Sequence, residues 1–284
     1  MTVLRHRLTQ DLKLAGYSER TQEAYVRAVR QLAEHYQRPP DALTEDELRR
    51  YFVHIRDVKL WARSSITIAL CGIKFFFEKT LGRKWFVFEI ARPPRESRLP
   101  VILTREEVRR VLGAVRNDTY RACLTTIYAC GLRLSEGAHL KVGDVHSGQM
   151  RVHVVLGKGG KDRFVPLPKG LLELLREHWK AHPSKEWLFP APKAPADRPR
   201  PVGRSSVQTA LRRARLQCGL RKRAGVHTLR HSYATHLLED GVNLRLIQAY
   251  LGHDSPQSTS VYTHLTREVR QSGKEPVDRL MAGF

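Results

Sequence analysis

Three histidines, an arginine and a tyrosine lie close together near the C-terminus of this chain. They read His227-Thr-Leu-Arg230-His231, Leu251-Gly-His253 and Tyr262, all within about 36 residues. A phenol at Tyr262 can attack an electrophile once its proton is taken. A guanidinium at Arg230 can clamp a phosphate through paired N–H donors. Imidazoles at His227 and His253 can orient that phosphate or move protons near neutral pH. Two upstream stretches offer matching groups. Gly131-Leu-Arg133-Leu-Ser-Glu136 adds a guanidinium with a carboxylate three residues on, able to orient it. Gly157-Lys158-Gly-Gly-Lys161 adds two lysines on a glycine-rich turn. The turn is not a Walker loop, because Lys161 is followed by Asp162 rather than Ser or Thr.

These groups need rigid elements to hold them. Tyr120 to Cys130 is an apolar helix stopped by Gly131, so Arg133 is set by a helix end rather than a floppy loop. From Met150 to Pro168 the period changes to two. Val152, Val154 and Leu156 alternate with Arg151, His153 and Val155, and Arg163, Phe164 and Val165 follow the glycine turn. This predicts a β-hairpin with Lys158 at its tip. Thr228 is placed to cap a helix through Tyr233, Leu237 and Leu238 to Gly241, with His227, Arg230 and His231 at the start of one face. Asn243 opens the next helix, which ends at Gly252 just before His253. Ser255-Pro256 then opens a short helix that carries Tyr262.

The remaining elements are helical. Thr104 and Glu107 form a capping box that opens the second half of the chain, and Leu171 to Trp179 reads as a further helix. Pro183 to Pro201 is a proline-punctuated loop around Trp187-Leu-Phe189, and Ser205 or Ser206 caps a helix to about Cys218. Residues 1–90 read as four helices: Leu4 to Ala15, a helix capped by Ser18, Leu48 to Val58 after a Thr44/Glu47 capping box, and one started by Ser64 or Ser65 and stopped at Gly82. Ala91-Arg-Pro-Pro-Arg-Glu-Ser-Arg-Leu-Pro100 is short of apolar residues and reads as a linker. The expected organisation is therefore a helical domain at 1–90, a linker at 91–102 and a second domain at 103–284 with a C-terminal tail. The fold class is mainly α with a small antiparallel β-sheet.

Lys+Arg 50 against Asp+Glu 28 gives a formal charge of +22, which points to a polyanion, most often nucleic acid. The charge also clusters: Arg198 to His231 holds ten lysines and arginines and no acid. Basic residues between the apolar positions of the first four helices suit a clamp on a duplex backbone. Cys71, Cys123, Cys130 and Cys218 show no CxxC spacing and read as small buried hydrophobes in a reducing compartment. No secretory core follows Met1 and no apolar run approaches about 18 residues, so a soluble, cytoplasmic, nucleoid-associated protein is expected. His227 and His231 have HxxxH spacing but lack the Glu of HExxH, so no metal is expected, and His231, His236 and His264 read as structural.

Taken in order, Arg133, Glu136, Lys158, His227, Arg230, His253 and Tyr262 resemble the tyrosine recombinase, or lambda-integrase, family. The resemblance covers essentially the whole chain, with residues 1–90 similar to the family's core-binding domain and the rest to its α+β catalytic domain. It implies a site-specific integrase or transposon-associated recombinase that cuts and rejoins DNA through a covalent 3′-phosphotyrosyl intermediate. It implies Tyr262 as nucleophile, and Arg133 and Arg230 on the non-bridging oxygens. Lys158 would be the general acid, with Lys161 as a rival on the same turn. His227 would assist proton transfer, His253 would bond the phosphate, and Glu136 would support the others without reacting. It further implies no cofactor, and a homotetramer that brings together two double-stranded sites. Val277, Leu280 and Met281 in the tail would dock on a neighbouring protomer. A type IB topoisomerase would share the chemistry but act as a monomer, and a non-catalytic DNA-binding protein would use the same cations as contacts. All three readings require phosphate contact. Binding to duplex DNA should weaken roughly a thousandfold or more between about 50 and about 200 mM salt; a flat salt titration would contradict a basic clamp.

Overall fold

The computed structural model describes residues 3–91, 100–155, 162–195 and 198–252. The chain divides into two compact units, Met1–Ser97 and Arg98–Phe284, each with its own apolar core.

The first unit is helical: α1 Val3–Leu14, α2 Glu19–Tyr36, α3 Glu45–Val53, α4 Arg63–Phe75 and a short α5 Val87–Ile90. Caps set most of the starts. The Ser18 hydroxyl accepts from the Thr21 N–H, and Thr44 and Glu47 make a reciprocal capping box. Two sequence expectations change. The stretch predicted as one helix from Leu48 to Val58 ends as α-helix at Val53 and continues as a wider turn over His54–Val58. Helix α4 begins at Arg63 after Ala62 with no side-chain cap, so neither Ser64 nor Ser65 starts it. Its start is set by packing: Ile66, Ala69, Leu70 and Ile73 are buried on one stripe. Gly72 faces α2 so closely that a Cβ there would stand 2.9 Å from Tyr25 Cα.

The second unit is built on α7 Asp118–Ala129, capped by Asn117. Cys123, Leu124 and Ile127 on α7 have no exposed surface. Around it lie α6 Arg105–Gly113, α8 Leu134–Ala138, α9 Lys169–Ala181, α10 Arg204–Gln217, α11 Val226–Glu239 and α12 Leu244–Leu251. A three-stranded antiparallel sheet, β1 Val145–His146, β2 Arg151–Val154 and β3 Arg163–Pro166, has the order β1-β2-β3. Val152 pairs with Val165 and Val154 with Arg163. The expected mainly α fold with a small antiparallel sheet is therefore present. Strand β1 was not foreseen, because two residues are too short to show a period.

Three local expectations are corrected here. Helix α11 starts after Gly225, and Thr228 is its third residue rather than its cap. Thr228 Oγ1 instead accepts from the Gly225 N–H. Helix α10 starts at Arg204 after Gly203 with no side-chain cap, so Ser205 and Ser206 lie inside it. Of the cysteines, Cys123 and Cys130 are buried, but Cys71 is exposed and Cys218 is partly exposed. The expected linker between Arg92 and Leu99, the hairpin tip and the chain from His253 onward lie outside the described residues.

Helix α11 is pinned to the entry of this unit. Ser232 Oγ accepts from the Leu103 N–H at 3.0 Å, and the His236 ring lies 3.0 Å from Leu103 O and 2.9 Å from the Tyr128 hydroxyl. That accounts for His236 as a structural residue. Helix α8 is held as tightly. A Cβ at Gly137 would come 2.3 Å from Ile127 Cγ1, so only glycine lets α8 dock on α7. Gly137→Ala should lower unfolding free energy by about 1–3 kcal/mol through overpacking, read as a lower urea midpoint with an unchanged slope. A midpoint equal to wild type would show that α8 is not seated this way.

Candidate active site

Helix α8 presents Arg133 at its N-cap and Glu136 in its first turn. The Glu136 side chain is only 6% exposed, so its charge must be met inside the protein. It is met by three guanidiniums. Arg133 donates to it twice, through its backbone N–H to Oε2 and through Nη1 to Oε1, both at 2.7 Å. Arg163 from β3 donates to both oxygens, at 3.0 and 2.7 Å. Arg230 from α11 brings Nη1 to 3.8 Å of Oε2.

The same three arginines hold the end of α12. Arg163 Nε donates to Tyr250 O at 2.8 Å, Arg230 Nη2 to Leu251 O at 2.5 Å and Arg133 Nη2 to Gly252 O at 3.0 Å. The last carbonyls of a helix have no partner within it and carry the negative end of its dipole. Three consecutive carbonyls here each receive a different guanidinium. Arg230 Nη1 also donates to Gly131 O at 2.8 Å. Glycine makes two of these approaches possible. Gly131 has φ +60° and a Cβ there would strike the Tyr233 ring at 2.5 Å. Gly252, also at φ +60°, lies against Arg163 Cδ.

Arg230 is 1% exposed and is the largest fully buried side chain among the described residues. It lies on the apolar stripe of α11 with Val226, Tyr233 and Ala234. Burial by itself would raise the Glu136 pKa. The hydrogen bonds and charge of Arg163, and then the Arg133 N–H and side chain, outweigh that effect and hold it at about 2. His227 is in the first turn of α11. Crowding by protein atoms, and then the charges of Arg230 and Arg133, lower its pKa even though the residue keeps contact with solvent. The His231 ring is 4.7 Å from that of His227, and burial followed by His227 and Arg230 pushes its pKa to about 4. Both rings are therefore neutral at pH 7. His227 is available to accept a proton, while His231 is not a carrier near neutrality.

Of the residues singled out by sequence, Arg133, Glu136, His227 and Arg230 come together. Lys158, Lys161, His253 and Tyr262 lie outside the described residues, as does His264. Sequence reasoning missed Arg163. Its signal was its register: Arg163 shares a strand face with buried Val165, and a charge on an inward face needs a partner. Among the described residues no three His, Cys, Asp or Glu side chains gather at metal-binding distance.

The phage integrase family model matches residues 102–268, and the model of the phage integrase N-terminal SAM-like domain matches residues 4–86. A putative integrase/recombinase, y4qK, of Sinorhizobium fredii is 41% identical over 93% of this chain and 85% of its own length. The chain belongs to the phage integrase family. It is a tyrosine recombinase, an enzyme that cleaves and rejoins DNA strands. The tyrosine recombinase XerC of Halalkalibacterium halodurans is 33% identical over 87% of this chain and 86% of its own. The fold matches that of a lambda integrase tetramer bound to a Holliday junction, with a TM-score of 0.73 and 18% identity over 91% of this chain and 76% of that one.

The Glu136 cluster makes the recombinase acid-sensitive in a defined window. Its carboxylate pKa is depressed, so its contribution to stability is complete above the unfolded value near 4.5 and is lost as pH falls toward about 2. Glu136→Gln should cost about 3 kcal/mol at pH 7. The difference from wild type should shrink as pH falls through that window. Denaturant midpoints measured from pH 7 to pH 2 test this; a gap that stayed constant would remove Glu136 as its source.

Proposed function

We propose that Tyr262 is the nucleophile and that Arg133 and Arg230 clamp the scissile phosphate. The supporting observation is the convergence of Arg133 and Arg230, from two distant motifs, on the Glu136 carboxylate and the end of α12, with His227 near enough for both charges to act on it. Two planar guanidiniums with fixed orientations suit the charge that develops on the non-bridging oxygens. In the first step the Tyr262 phenolic oxygen bonds to phosphorus and the bond from phosphorus to the 5′ oxygen breaks. His227, neutral at pH 7, takes the phenolic proton, and Lys158 gives a proton to the departing 5′ oxygen. One phosphoester replaces another, so the bond energy is kept for rejoining. A 5′ hydroxyl from a second duplex then attacks the phosphotyrosine, and each proton transfer runs in reverse. His253, the residue after Gly252, would hydrogen-bond the phosphate.

The helical first unit is proposed as the DNA-clamping, core-binding domain, with residues 91–102 as its tether to the catalytic unit; its match to the SAM-like domain model supports this. The active assembly is proposed to be a homotetramer on two recombination sites, as in the lambda integrase complex, working in the cytoplasm. A type IB topoisomerase would share the cleavage step, but it would not need two sites.

A duplex nicked just past the cleavage site traps the covalent complex. Wild type should form an adduct and Tyr262→Phe none; no adduct with wild type would sink the proposal. Replacing the 5′ bridging oxygen by sulfur removes the need for a general acid, because a thiolate leaves unprotonated. Lys158→Ala should be roughly 100-fold slow on the oxygen substrate and near wild type on the sulfur one. If Lys161→Ala alone behaves that way, Lys161 is the acid.

A further inference from the structure

We propose that Arg163 is a positioning residue that balances the charge of Glu136, so that Arg133 and Arg230 keep their own charge for the phosphate. The inference rests on the phosphate-clamping role proposed for those two arginines. Among the described residues the cluster holds one carboxylate and three guanidiniums. With Arg163 the net charge is +2, and without it the net charge is +1. A phosphodiester carries one negative charge, and a five-coordinate phosphorus on the reaction path carries about one more, so the loss falls on the transition state more than on the bound ground state.

The geometry fits a supporting role rather than a direct one. Arg163 spends Nη1 and Nη2 on the two Glu136 oxygens and Nε on Tyr250 O. Its side chain is 9% exposed, against 21% for Arg133. Arg133 meets the same carboxylate edge-on with one side-chain nitrogen, at 2.7 Å to Oε1. If Arg163 were lost, Glu136 would have only Arg133 and Arg230 to neutralise it. Both would turn further toward it, and the Tyr250 carbonyl would lose its donor. The residue also ties β3 to α12.

The test uses the full-length chain on the nicked duplex. The first cleavage is followed in a single turnover, and DNA affinity is measured separately. Arg163→Met should slow cleavage roughly 10- to 100-fold while DNA affinity changes less than about threefold. Arg163→Met combined with Glu136→Gln restores the +2 balance and should cleave faster than Arg163→Met alone. A role in packing alone predicts the opposite, since the second substitution would then add to the damage. A double variant as slow as or slower than the single one therefore overturns the proposal, as does a wild-type rate in Arg163→Met. Where Arg163→Met does not fold, Arg163→Lys decides. Cleavage within about tenfold of wild type upholds the charge argument, and a loss beyond about 100-fold overturns it. Wild type without any adduct would count against the proposed function instead.

Discussion

Removing a carboxylate and three guanidiniums from water costs several kcal/mol per ion, and only dense hydrogen bonding offsets it. That constraint governs the second unit of this recombinase. Glu136 accepts four hydrogen bonds, one from a backbone N–H and three from two arginines, and a third arginine stands at ion-pair distance. Those arginines then satisfy three consecutive carbonyls at the end of α12. Helices α8, α11 and α12 and strand β3 cannot shift separately without leaving a buried charge or carbonyl unpaired. The small residues at Gly131, Gly137 and Gly252 follow from the same constraint, because each lets an element approach closer than a Cβ would allow.

Such a cluster is also a way to prepare a site for an anion. Donors already oriented by a carboxylate and by helix-end carbonyls need little reorganisation when a phosphate arrives. His227 stands beside the cluster, and crowding by protein atoms, followed by the charges of Arg230 and Arg133, lowers its pKa and leaves it able to take a proton. Among the described residues the cluster also carries two more positive than negative charges, a surplus held in a largely buried place rather than spread on the surface. The overall charge of +22 has a different use: long-range attraction to the DNA backbone, which salt screens.

Local rules held where the local interaction had no rival. Ser18, Thr44, Thr104, Asn117 and Asn243 all cap helices through their side chains. They failed at Ser64, Ser205 and Thr228, where the helix begins upstream of the residue expected to cap it. In α10 and α11 a glycine takes the cap position with extended backbone, and burial of Val207 and Val226 sets where the helix starts. Burying a valine is worth about 1.5–3 kcal/mol, against about 1 kcal/mol for a cap, so packing wins.

The sequence by itself determined the class of fold, the helices around α7, the hairpin, and the identities of Arg133, Glu136, His227 and Arg230. Those depend on period, caps and motif spacing over a few residues, which are written locally. It also carried a hint of Arg163, as a charge on the inward face of a strand, but not its partner. The tertiary structure decided which guanidinium meets which acceptor. Arg133 and Gly252 are 119 residues apart, Arg230 and Gly131 are 99 apart, and Arg163 and Tyr250 are 87 apart. No local pattern encodes those pairings. They arise because α8, β3 and the start of α11 bury apolar faces in the main core of the unit while α12 packs with α11 in a smaller cluster, and the buried charges brought together there satisfy one another.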